Sequence, residues 1–459
     1  MLHQASGDFH EVLKDPSLWG NLDFEGSKPL GHGNPDFLYG VATSMYQDSG
    51  AVHCPQSQWS DWESRCMPAH DRSGAAVNLF ALYQKEPLSV ISKLQLLGVN
   101  TYRFSIEWSH LEPEKGKLDV EKLKTYVEFC KILRDYGIQP IITLHHFSEP
   151  LWFHSKGSFE KEENISDFLG FCQWAVKELA QEYQGKPLVQ YFCTINEPGV
   201  EAYSRYLLGF FSPNLRFRFT RGARFLLNML KAHCRVYSTI KKTEDVRIGI
   251  SHQYLQYYST HFLMYPMAKI LSLYHQAVLK FFKTGLFDCK IPFLSHVEED
   301  CIETEKPKVD FAGVQYYGRI FLGLKGLDPK NKPATTMMGI CEDPEGLFEA
   351  IIAVFDAFRS PILVSENGIS TECNEQRARY VSRALYAAEQ ARKKIGSENM
   401  LGYILWSFTD NFEWSFGWKP QFGAFPLTKD RSLGEQYKPG IQPFVDTIRA
   451  WKSTLPSFE

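Results

Sequence analysis

Two apolar runs of this chain end in the same unusual way. Residues 188–198, LVQYFCTINEP, close on Asn196 and Glu197, and residues 361–368, PILVSENG, close on Glu366 and Asn367. A carboxylate at the end of a buried run carries a desolvation cost that a plain turn does not require. Either glutamate alone reads equally well as a loop cap or a salt-bridge partner. Together they suit a different task. Cleavage of a glycosidic bond needs one carboxyl that is protonated, to push off the leaving oxygen, and one that is ionised, to attack carbon or activate water. Two neighbouring carboxylates drive their pKa values apart, and a cation such as Arg103 holds one of them low.

Such a pair must be brought together by the elements that carry it. Eight short apolar runs recur along the chain, at 35–44, 100–108, 139–147, 188–198, 246–254, 309–317, 361–368 and 401–408. They are continuous instead of alternating, as expected of parallel strands covered on both faces. Helical patterns fall between them, at roughly 77–97, 119–136, 166–184, 221–242, 264–285, 345–358, 374–395 and 441–453. Eight such units predict an α/β fold, a single-domain (β/α)8 TIM barrel over residues 35–459, with residues 1–34 as an N-terminal extension packed on it. An open doubly wound sheet is the alternative, but it wants a glycine-rich phosphate turn after its first strand, where this chain has YQDSG.

Barrel enzymes place chemistry at the C-terminal strand ends. There this chain puts Gln47, Arg103, His145 and His146, Asn196 and Glu197, Gln315 to Tyr317, Glu366, and Trp406 followed by Asp410, Asn411, Glu413 and Trp414. Adjacent strand residues point opposite ways, so one of the two histidines should reach the site, and His146 is the expected one.

Composition narrows the class. The 459 residues are 44% hydrophobic and 14% aromatic, enough for a large core, and a net charge of −3 argues against a nucleic-acid partner. The ten cysteines are scattered without metal-ligand spacing, which argues against a zinc site, and read as reduced, partly buried thiols; the glycosidase chemistry itself implies neither metal nor organic cofactor. The start, MLHQASGDFHEVLKDPSLWG, lacks the basic-then-apolar character of a secretory signal, and no apolar stretch is long enough to span a membrane. A cytoplasmic protein with no membrane partner is the expectation, and its oligomeric state is left open.

Six blocks in chain order resemble glycoside hydrolase family 1, the β-glycosidases. They are FLYGVATSMYQ at 37–47, YRFSIEWS at 102–109, TLHHFSEP at 143–150, TINEP at 194–198, VSENG at 364–368 and WSFTDNFEWSFGW at 406–418. The resemblance implies Glu366 as nucleophile and Glu197 as acid and base, with Arg103 and Tyr317 holding the nucleophile and Asn196 meeting the sugar 2-hydroxyl. Gln47, His146, Glu413 and Trp414 resemble the clamp on the remaining hydroxyls, Trp406 the floor under the sugar and Phe422 a further wall. Gln315 stands where the family usually has asparagine, Asp48 and Ser49 depart from its first block, and His110 and Gln421 replace basic residues. These departures spare both carboxylates and bear on substrate preference. Among Trp59, Trp62, Trp152 and Trp418, all read first as wall or core, Trp152 is the best candidate for a sugar contact, and His233 reads as a core histidine. Segment 250–300 is expected to shape the leaving-group side.

The implied activity is a retaining β-glycosidase of β-glucosidase type, acting on a small-molecule β-glycoside, with carboxyl groups ~5–5.5 Å apart. Two alternatives stand beside it. A 6-phospho-β-glycosidase would replace the Glu413-Trp414 clamp and add cations. A non-catalytic sugar-binding relative typically loses one carboxylate.

Overall fold

Each of the eight apolar runs forms a strand. In the computed structural model, which describes residues 28–303, 305–328 and 336–456, these are β1 (Leu38–Ala42), β2 (Thr101–Ser105), β3 (Gln139–His145), β4 (Tyr191–Asn196), β5 (Arg247–Gln253), β6 (Phe311–Tyr316), β7 (Ile362–Asn367) and β8 (Met400–Trp406). They pair in chain order as parallel neighbours, and β1 closes the ring against β8 in the register Leu38↔Gly402 to Ala42↔Trp406. β1, β2, β6 and β7 are buried along their whole length, which is why their sequences show no in–out alternation. The fold is a single-domain (β/α)8 barrel.

The surrounding helices follow the sequence pattern with two corrections. The stretch 77–97 is two helices, Leu79–Lys85 and Pro87–Leu97. Pro87 cannot donate to the preceding turn, so it starts a new helix at its first position. The helix expected over 166–184 runs Ile165–Leu179 and stops there. The chain then enters a small hairpin, Glu182–Tyr183 against Lys186–Pro187, whose turn residues Gln184 and Gly185 take φ of 54° and 76°. Segment 250–300 supplies β5, the helix Tyr265–Thr284 and an outer hairpin, Leu286–Ile291 with Ser295–Asp300.

Most of the expected N-terminal extension, residues 1–27, lies outside the described residues. Residues 28–34 lie against the barrel, where Leu30 is buried, its carbonyl accepts from the Tyr39 hydroxyl at 2.5 Å, and the Asn34 carbonyl accepts from the Trp451 indole at 3.0 Å. Among the described residues no helix is long and apolar enough to cross a membrane, and all ten cysteines are free thiols.

Regular strands alone would not aim the terminal side chains inward. Three pairings slip register at their C-terminal ends: β4–β5 between Cys193 and Asn196, β6–β7 between Val314 and Gln315, and β7–β8 between Val364 and Asn367. Bulges of this kind re-aim side chains beside active sites. Gly368, just past β7, makes the last of them possible, since a Cβ there would stand 2.0 Å from the Trp406 carbonyl oxygen.

Candidate active site

Glu197 follows β4 immediately and caps the helix Pro198–Tyr206 with left-handed backbone, φ 46°. A non-glycine residue in that region stores strain of order 1–3 kcal/mol and persists where its surroundings dictate it. Here its N–H donates to the Ser251 carbonyl on β5 at 2.9 Å, and Pro198 fixes the next φ. Glu197 Oε1 is buried without a hydrogen-bond partner among the described residues.

Glu366 is held on both oxygens. Oε1 is ion-paired with Arg103 Nη1, and Oε2 accepts from the Tyr317 hydroxyl at 2.5 Å. Arg103, buried on β2, also donates to Thr143 Oγ1 at 3.1 Å and to Asn196 Oδ1 at 2.7 Å. The two glutamates therefore live in different fields. Burial pushes Glu197 well above the usual carboxylate range, and the charge of Glu366 adds to the push. Burial also raises Glu366, but Arg103 and the Tyr317 hydrogen bond pull against it. Glu197 is thus the group that keeps its proton.

Asn196 is oriented by its neighbours. Its Oδ1 receives both Arg103 and Gln315 Nε2, each at 2.7 Å, so its Nδ2 must face away from them. That Nδ2 lies 3.3 Å from His146 Nε2. Desolvation, reinforced by Arg103, holds His146 well below its ordinary pKa, so it is neutral. Accepting at Nε2 places its hydrogen on Nδ1, which has no partner among the described residues. Gln47 Nε2 donates to Glu413 Oε2 at 3.1 Å.

A cavity of about 140 Å³ connects these groups. Gln47, His146, Glu197, Tyr317, Glu366, Trp406, Glu413, Trp414 and Phe422 line it. Arg103, Asn196 and Gln315 stand behind that wall and act on it through the bonds just described. Gln315 therefore reaches the cavity through Asn196 instead of touching it. Of segment 250–300, Gln253 is the residue on the wall. His145 turns to the opposite side and meets Glu201 at 2.8 Å. Trp152 is not on the wall; it packs edge-on to Trp108 at 5.6 Å and donates to the Glu112 carbonyl. Trp59 is buried against Trp414, with ring centroids 4.8 Å apart. His233 is satisfied by Thr194 Oγ1 at 2.7 Å and the Lys308 carbonyl at 2.9 Å.

Family 1 is the observation that decides the assignment: its profile, Glycosyl hydrolase family 1, matches residues 33–438. The chain belongs to glycosyl hydrolase family 1. This family 1 hydrolase is 26% identical over 439 residues to β-glucosidase A of Acetivibrio thermocellus, covering 86% of this chain and 93% of the relative. It is also 26% identical over 451 residues to a 6-phospho-β-galactosidase of Streptococcus mutans, covering 86% and 94%. The β-glycosidase from Pyrococcus horikoshii superposes with TM-score 0.78 at 27% identity, covering 94% of this chain and 99% of that one. The Thermotoga maritima β-glucosidase in complex with deoxynojirimycin, at 22% identity, shares the fold with TM-score 0.76 over 91% and 99% of the two chains.

Two supports of the site were not legible in its motifs. Arg377, on the helix Asn374–Ile395, donates to the carbonyls of Ile369 and Thr371 after β7 and of Gln421 and Phe422 after β8, stitching two walls together. Arg205, two turns along the helix that Glu197 caps, pairs with Glu149 at 2.8 Å and Glu201 at 3.3 Å, all three fully buried. Burial alone would raise Glu149, but Arg205 and His154 prevail and hold it well below the usual range. Arg205→Met should destabilise the fold by about 3–5 kcal/mol in denaturant titrations, because it leaves two buried carboxylates without their cation.

Glu413 carries a second consequence. Burial first, then the charge of Glu366, raises it from 4.5 to about 8. A raised folded-state pKa stabilises the fold below the unfolded value and loses that contribution as pH rises through the folded value. The unliganded enzyme should therefore lose thermal stability between pH 4.5 and about 8. Glu413→Gln should flatten that slope in melting curves taken across the window.

Proposed function

We propose that the chain is a retaining β-glycosidase of β-glucosidase type that removes terminal non-reducing β-D-glycosyl residues by double displacement. The observation that carries this reading is the asymmetry of the two glutamates: Glu366 is gripped on both oxygens, while Glu197 has a free oxygen and the stronger pull toward protonation.

In the first step a Glu366 oxygen attacks the anomeric carbon, the bond to the leaving oxygen breaks, and Glu197 gives that oxygen its proton. A glycosyl ester on Glu366 results. In the second step Glu197, now ionised, takes a proton from water as the water oxygen attacks the same carbon and the ester bond breaks. Two inversions return the original configuration. Arg103 and Tyr317 keep Glu366 ionised for the attack and receive its charge back when the ester is cleaved. The Gln47 amide, His146 Nδ1 and Glu413 would bind the sugar hydroxyls, with Trp406 against the ring's C–H face, and Asn196 Nδ2 would act through His146, whose Nε2 it meets at 3.3 Å.

The 26% identity to both a β-glucosidase and a 6-phospho-β-galactosidase leaves the glycone to the site itself. Among the described residues lining the cavity there is no lysine or arginine to receive a phosphate. An unphosphorylated sugar is the reading these groups support. Hydrolysis of aryl β-glycosides with and without a 6-phosphate, followed by NMR at early times, tests both parts. Faster turnover of the phosphorylated series, or an α-anomer appearing first, would overturn the corresponding part.

A further inference from the structure

The cavity changes character with depth. Its floor is polar and shielded, with Gln47 at 0% exposure and His146 at 5%, whereas its rim carries Phe210 at 41% and Phe416 at 46%. Those two rings meet edge to face, with centroids 6.0 Å apart. Both positions are built, not incidental. Phe416 ends the short turn Trp414–Phe416, so the chain that sets Glu413 and Trp414 at the floor also delivers Phe416 to the rim. Phe210 is fixed by its N–H to the Ser204 carbonyl at 2.8 Å, on the helix that Glu197 begins. Its neighbour Phe211 turns inward against Trp414.

Between floor and rim the wall continues with Val200, Met338 and Ile340, and its polar members there are Ser204 and Gln253. Single exposed aromatics are ordinary, but a paired set at the mouth of a cleft marks a ligand groove. A sugar leaving group presents hydroxyls on every side and would need more donors and acceptors than two side chains supply. A sugar bound on the floor, with its anomeric carbon between Glu197 and Glu366, must project its leaving group across this apolar stretch.

We propose that Phe210, Phe416, Met338 and Ile340 form a leaving-group site for an apolar aglycone, so that the enzyme acts on glycosides of aryl or long alkyl alcohols in preference to oligosaccharides. The inference rests on the floor being the glycone pocket.

The test compares kcat/KM of the wild type on methyl β-glucoside, octyl β-glucoside and cellobiose, or on the equivalent set for whichever glycone an aryl panel selects. Octyl glucoside should exceed the other two by roughly ten-fold or more, since even one methylene in an apolar site is worth about that much. In Phe210→Ala/Phe416→Ala, its fold checked by circular dichroism, the octyl-to-methyl ratio should fall toward one. Cellobiose cleaved as well as octyl glucoside would overturn the inference while leaving the glycosidase reading intact. An unchanged ratio in the folded double variant would do the same. No turnover of any glycoside in the panel would instead sink the reading beneath it. The wild-type comparison stands whether or not the variant folds.

Discussion

Glu366→Ala should lower kcat on an aryl β-glycoside by about 10⁵-fold, the scale on which removal of a covalent nucleophile acts. The residue offers no other route to that loss. Its two oxygens are occupied by Arg103 and Tyr317, and alanine leaves both partners in place but gives the anomeric carbon nothing to bond. Arg103 would keep its bonds to Thr143 and Asn196, so the variant should fold, at a stability cost of about 3–5 kcal/mol for the broken buried pair. Added azide should then occupy the vacated side and restore part of the rate with an activated substrate. Its product should be the α-glycosyl azide, because one displacement inverts the carbon. An unaltered kcat in the folded variant, or a β-azide product, would remove Glu366 from the role.

Glu197→Ala is expected to show the complementary pattern. General acid catalysis contributes about 10²–10⁴-fold, and that contribution matters in proportion to how poorly the aglycone leaves. The phenyl glycoside should suffer the full loss, while a dinitrophenyl glycoside, whose weakly basic phenolate needs no proton, should form the glycosyl ester almost normally. Azide attacking that ester should give the β-glycosyl azide after two inversions. The pH dependence follows from the raised pKa of Glu197, which comes from burial and from the neighbouring Glu366 charge. On the proposed mechanism the acid form is the working form, so kcat/KM for the wild type should fall as pH rises through that pKa. In Glu197→Gln the falling limb should disappear. A limb that persists in the variant would assign the proton to another group.

Much of the architecture could be read from the chain because it rests on local patterns. Continuous apolar runs such as VDFAGVQYY and LGYILWSF are what a strand covered on both faces must look like, and all eight runs form barrel strands. Helix ends were legible where a residue type decides them. They were misjudged where a proline or a positive-φ turn intervened, at Pro87 and at Gln184-Gly185. The glutamate pair was visible as a type and a position, Asn-Glu after one run and Glu-Asn within another.

What the chain could not show is how those side chains relate in space. Trp152 has the residue type of a sugar platform, yet its neighbour Trp108 takes it into a wall away from the cavity. Gln315 is named by its place two residues before Tyr317, but only the packed barrel shows it donating to Asn196. Arg205 and Arg377 carry no motif, and the partners that tie them to other elements, Glu149 for the first and Gln421 and Phe422 for the second, lie tens of residues away in the chain. The sequence by itself determined the residue types, their strand ends and so the family. Tertiary structure decided which carboxyl keeps its proton, because that follows from burial and from charges that converge only when β2, β4, β6 and β7 close into one ring.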